Sequence, residues 1–151
     1  HRIARRQRQM CIRDRLDGHK FKAYLPGGAS GGILPSAKGD VPLDFGGELT
    51  KYGCFVGSHA IVILSDQDNL ADVALNLISF FKHESCGQCT PCRNGTEKII
   101  NIIKNNSKWD KDLLSDISEV MANASICGLG QAASNPILSV LKFFPKDVGI
   151  K

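Results

Sequence analysis

The sequence predicts an α+β chain in two parts, a small β-rich module followed by a four-helix bundle. Three observations carry this. Apolar residues of the first half fall in short alternating or β-branched runs broken by Gly and Pro. Those of the second half recur at i, i+3, i+4, the spacing of a helix with one buried face. The change of period falls at "SDQDN", residues 65–69.

The N-terminal stretch stands apart. Residues 1–15, "HRIARRQRQMCIRDR", hold six Arg and one Asp. The remaining residues carry 13 basic and 14 acidic side chains, so the net +4 of the chain belongs to this arm alone. The arm has no aromatic residues and no matching basic patch downstream, so no nucleic-acid partner is expected. "RQRQMCIRDR" reads like a translated sequencing adaptor, and residues 1–15 are expected to be non-native and disordered. His at position 1 in place of Met suggests a C-terminal piece of something longer.

Residues 16–67 form the first module. "HKFKAYL" (19–25) alternates, with Phe21, Ala23 and Leu25 on one face. "PGGASGGILP" (26–35) reads as a loop by its Gly and Pro content. It lacks the Lys-Ser/Thr ending and following helix of a phosphate loop. "VPLDF" leads into "GGELTKYG" (46–53), a short helical turn, and "CFVGSHAIVIL" (54–64) ends in the most strand-like run. Its "AIVIL" is far shorter than the ~18 residues of a membrane span, so no direct membrane insertion is expected.

Residues 68–151 hold the helices. Asp68 is the expected cap of the first, with Leu70, Val73, Ala74, Leu77, Ile78 and Phe81 on one side. Thr96, Ile99, Ile100 and Ile103 form a second stripe. Asp110 caps a third helix that aligns Leu113, Ile117, Val120 and Met121. "NPILSVLKFF" starts a fourth at Asn135, with Pro136 in its first turn.

The chemistry lies in "KHESCGQCTPCRNGTEK", residues 82–98. Zinc is usually clasped by two separated pairs of ligands. Cys86, Cys89 and Cys92 at C-x2-C-x2-C instead suit one loop wrapping three corners of an iron–sulfur cubane, the fourth iron going to a distant residue. Gly87 lets the backbone approach, and Pro91 stiffens the turn into the next helix. Cys11 lies in the doubtful arm and Cys54 at the head of a strand. Cys127, in the Gly-bearing junction "ASICGLGQAA", is the expected fourth ligand. A structural zinc on the same four thiols and a Cys86–Cys89 redox disulfide are the competing readings. His83 reads as a helix-end residue, and Arg93 as either a tuner of the site or a solvated side chain. Six Cys without a signal peptide point to a reducing, cytoplasmic setting.

At "HESCGQCTPCRNGT" and "ICGLGQAASNP" the sequence resembles the NADH-oxidising flavoprotein subunit of complex I, NAD-linked hydrogenases and NAD-dependent formate dehydrogenases. The resemblance runs from about residue 17 to the end. It implies a β-grasp module of the soluble-ligand-binding type followed by a helical bundle. There Cys86, Cys89, Cys92 and Cys127 would hold a 4Fe–4S cluster relaying single electrons. FMN and NAD are implied for a preceding domain, of which this sequence has no G-x-G-x-x-G fingerprint, so the chain is not expected to be catalytic alone. Implied partners are a 2Fe–2S thioredoxin-like subunit and an iron–sulfur catalytic subunit. "YLPGGASGGILP" and "CGLGQAASNPILSV" look most like the formate dehydrogenase beta subunit.

Overall fold

The computed structural model describes residues 18–45 and 47–150; the expectations for residues 1–15 lie outside them. The chain divides into two compact units between Asp68 and Asn69.

The first unit is built on a three-stranded antiparallel sheet. Strands β1 (Phe21–Leu25), β2 (Leu34–Pro35) and β3 (Val62–Ser65) lie in the order β2-β1-β3. Tyr24 stands opposite Leu34 on one side and Ile63 on the other. The alternation expected for β1 does not hold. An irregularity between Phe21 and Ala23 shifts the register, and Ala23, Tyr24 and Leu25 are all buried. The Tyr24 hydroxyl meets the cost of its burial by donating to the Lys38 carbonyl at 2.8 Å.

The stretch read as a plain loop is more structured than its composition suggests. It contains a 3₁₀ turn at Ala29–Gly31 and all of β2, with Pro35 on the edge strand where a missing N–H is tolerated. Its glycines serve close backbone approach. A Cβ on Gly27 would lie 2.5 Å from the Gly57 nitrogen, and the Gly27 carbonyl accepts from both Gly57 and Ser58. Glu48–Tyr52 forms the short helical turn. Cys54 is buried but lies outside any strand, since β3 begins only at Val62.

The second unit is helical: α1 (Leu70–Glu84), α2 (Thr90–Asn105), α3 (Lys111–Ala124), the short α4 (Gly128–Ala132) and α5 (Asn135–Phe143). Helix α1 packs on α2, α2 on α3, α3 on α5 and α5 back on α1. Ile78, Ile99, Leu114, Met121, Ile137 and Val140 fill the space they enclose. A 3₁₀ turn at Pro145–Val148 closes one end, where Trp109 donates its backbone N–H to Val148.

Two sequence expectations need correction here. Asp68 does not cap α1. Its carboxylate is taken by the turn after β3, accepting from the Ser65 N–H at 2.6 Å and the Ser65 hydroxyl at 3.0 Å. Asn69 supplies the cap instead, accepting from Ala71 N–H. In α3 the buried side is Leu114, Ser118 and Met121, not the stripe through Leu113, Ile117 and Val120. Ser118 hides the true stripe from a hydrophobic reading, because its hydroxyl donates to the Leu114 carbonyl at 2.7 Å and is buried satisfied. Leu113, Ile117 and Val120 line an open groove of about 430 Å³ with Pro91. Asp110 does cap α3, accepting from Leu113 N–H.

Candidate metal centre

Two loops of the helical unit carry the four expected cysteines. The first joins α1 to α2 and holds Cys86, Cys89 and, in the first turn of α2, Cys92. The second joins α3 to α4 and holds Cys127. Cys89 and Cys127 occupy equivalent positions, each the residue immediately before a helix. Pro91 lies in the first turn of α2, where its missing N–H costs nothing.

The structure brings these loops together at Cys92, Ser125 and Gly130. Cys92 is buried, and a Cβ on Gly130 would fall 2.9 Å from the Cys92 Cβ and 2.6 Å from the Ser125 Oγ. Only a residue without a side chain allows α4 this close to α2. Gln131 steadies the second loop by donating from Nε2 to the Ser125 carbonyl at 3.0 Å.

Cys89 feels this junction electrostatically. The backbone N–H of Ile126, and after it that of Cys92, lowers the pKa of its thiol from the ordinary value. Partial desolvation opposes them, and the Ser125 hydroxyl adds to the lowering. Ser125 Oγ is buried and has no hydrogen-bond partner of ordinary geometry.

The first loop is fixed from within. Gly87 sits at φ 73°, the left-handed region that suits glycine. Its N–H donates to Ser85 Oγ at 3.2 Å, and its carbonyl accepts from Arg93 Nη1 at 2.7 Å. The Ser85 hydroxyl also lies 3.3 Å from the Cys92 sulfur. In α2, Thr96 bonds back to the Cys92 carbonyl at 2.9 Å.

Cys86 and Cys127 are exposed, Cys89 is half-buried and Cys54 belongs to the other unit. Among the described residues no group of three or more His, Cys, Asp or Glu converges as a single metal ion would require. His83 points away into solvent, with Nδ1 3.1 Å from the Glu84 carboxylate. Sequence reasoning missed Ser85 and Ser125, and it read Gly130 as part of a Gly-bearing loop rather than as the contact between the loops. The one signal of the two serines was adjacency, Ser85 beside Cys86 and Ser125 two residues before Cys127.

The family model of the NADH-ubiquinone oxidoreductase-F iron–sulfur binding region matches residues 72–150, which include both cysteine loops. The chain belongs to this family. It is 36% identical over 136 residues to the NADP-reducing hydrogenase subunit HndC of Solidesulfovibrio fructosivorans, covering 87% of this chain and 28% of that protein. It is 38% identical over 132 residues to an NADH-quinone oxidoreductase subunit of Mycobacterium tuberculosis (strain ATCC 25618 / H37Rv), covering 84% and 29%. The crystal structure of an NAD⁺-reducing [NiFe]-hydrogenase in the H₂-reduced state superimposes with TM-score 0.74 at 26% identity, over 86% of this chain and 23% of that one. The chain thus spans under a third of the length of these relatives.

The cofactor of a member of this family is a 4Fe–4S cluster, and the residues present fit one. The four expected ligands are all thiols, one of them is biased toward the thiolate a metal needs, and the buried Ser125 hydroxyl beside it lacks a partner. These two relatives are named as subunits of an NADP-reducing hydrogenase and of an NADH-quinone oxidoreductase, and the matched region is an iron–sulfur binding region. No helix among the described residues is long and apolar enough to cross a membrane.

Proposed function

We propose that this chain is the electron-transfer part of a flavoprotein subunit in an NAD-linked oxidoreductase. Its cluster would be held by Cys86, Cys89, Cys92 and Cys127, between an FMN- and NAD-binding domain and downstream iron–sulfur centres. The observation that carries the reading is the closure of the three-thiol loop on the Ser125–Gly130 segment. It sets the Cys89 thiol among N–H groups of both loops, and the one from the second loop belongs to Ile126, the chain neighbour of Cys127.

When bound, a 4Fe–4S cluster takes up and gives back one electron at a time. The chain's own residues prepare the place. Ile126 and Cys92 N–H groups favour the thiolate at Cys89, so less proton release accompanies ligation there. Gly130 and Cys92 seal the inner side against water, while Cys86 and Cys127 remain at the surface, where an electron enters or leaves over a short distance. We take the sheet unit as the β-grasp of the resembled family, and the helical unit as its cluster-bearing four-helix bundle. Partners are other subunits of a multi-subunit redox complex, a 2Fe–2S thioredoxin-like subunit and an iron–sulfur catalytic subunit among them, in the cytoplasm.

Within the family we favour the beta subunit of a formate dehydrogenase, on the strings "YLPGGASGGILP" and "CGLGQAASNPILSV". A complex I or NAD-linked hydrogenase subunit is the second reading, favoured by the names of the two relatives above.

The test counts iron, acid-labile sulfide and zinc per chain in anaerobically prepared protein, with EPR before and after reduction. About four irons and four sulfides with a one-electron signal are expected. Cys127→Ser should abolish the intact cluster while Cys54→Ser leaves it. One zinc without sulfide would reduce the site to a structural clasp, and cluster loss in Cys54→Ser would overturn the ligand assignment.

A further inference from the structure

Gly87 is the hinge of the three-thiol loop, and both of its backbone polar groups are held by side chains. Ser85 Oγ accepts from its N–H and Arg93 Nη1 donates to its carbonyl, at 3.2 and 2.7 Å. The two side chains come from opposite ends of the loop, Ser85 at the end of α1 and Arg93 in the first turn of α2. The peptide between Cys86 and Cys89 is therefore clamped from both sides at a left-handed φ of 73°.

We infer that Ser85 and Arg93 are positioning residues, which preset the loop for the cluster, and that Ser85 also sets its potential through Cys92. The inference rests on the ligand assignment proposed above. A ligating cysteine carries no proton, so across the 3.3 Å contact the Ser85 hydroxyl must donate and the Cys92 sulfur accept. The same oxygen accepts from Gly87 N–H, which polarises the hydroxyl and strengthens its donation. Reduction adds negative charge to the cluster and its sulfurs, so a donor to sulfur stabilises the reduced form and raises the potential. Arg93 acts differently. Its guanidinium is exposed, so solvent and salt screen its charge, and its hydrogen bonds go to a backbone carbonyl and, at 3.4 Å, to the Asn94 side chain, so it works chiefly through geometry.

Two measurements separate the roles, both on the whole chain with its cluster: the reduction midpoint by EPR-monitored titration, and the rate of iron loss to a chelator without oxygen. Ser85→Ala should still assemble about four irons but, lacking its half of the clamp, lose them faster, and it should shift the midpoint to more negative values. Arg93→Gln should lose iron about three- to tenfold faster, the worth of one hydrogen bond, with the midpoint little moved. Arg93→Lys keeps the charge but not the fork, and should resemble Arg93→Gln. An unchanged midpoint in Ser85→Ala overturns the Ser85 role. Unchanged iron loss in Arg93→Gln, or full rescue by Lys, overturns the clamp. Should the unsubstituted chain hold no iron and sulfide, it is the cluster reading that fails, a result distinct from either of these.

Discussion

Gly130 is where the two cysteine loops touch, and its substitution sets two effects against each other. Within a helix, Gly→Ala gains up to about 1 kcal/mol from reduced backbone entropy. Against this, a Cβ at position 130 would lie 2.7 Å from the Ser125 Cβ and 2.9 Å from the Cys92 Cβ. Those are stem atoms, which no side-chain rotation removes, and forced overpacking costs about 1–3 kcal/mol. The clash wins. Gly130→Ala is expected to lower the denaturation midpoint and the iron content together, because the backbone that yields carries Cys92. A variant as stable as the parent, with full iron, would show that the loops do not meet this tightly.

At the scale of elements, α3 decides between two faces of similar apolar content. Leu114 is fully buried, whereas the neighbouring Leu113 is 39% exposed. Leu114→Ala should cost about 2–5 kcal/mol through lost burial and a cavity, while Leu113→Ala should change stability by less than about 1 kcal/mol. Urea denaturation of the two variants checks this, and equal effects would restore the Leu113 stripe to the core. The same helix shows what was legible. The Asp110 cap, the α1 stripe and the Thr96–Ile103 stripe could be read because apolar periodicity and caps are local signals. The inner face of α3 could not, since a satisfied buried serine looks polar to any hydropathy rule. Nor could β2, two residues long and containing a proline, whose existence depends on pairing with β1. At the site, the spacing of Cys86, Cys89 and Cys92 was visible in one line of sequence. The roles of Ser85, Ser125 and Gly130 depend on loops that meet only in the fold.

For the whole molecule, the division between Asp68 and Asn69 leaves every expected ligand on one side. The family match falls on the same side, beginning at residue 72. That segment exceeds the size at which a helical unit can bury its own core. The fully buried Leu70, Ile78, Ile99, Leu114, Met121 and Ile137 all come from its own helices. Neither the clamp on Gly87 nor the contact at Gly130 calls on a residue before Asn69. A chain starting at Asn69 is therefore expected to fold and to retain the cluster. Its helical circular dichroism should melt in one cooperative transition, and its iron and sulfide should match those of the full chain. A cooperative fold without iron would mean that the sheet unit completes the site. Failure to fold would mean that the helices need the sheet unit for their stability. Full iron content would assign the electron relay to the helices alone and leave the sheet unit free for a separate task, such as holding a neighbouring subunit.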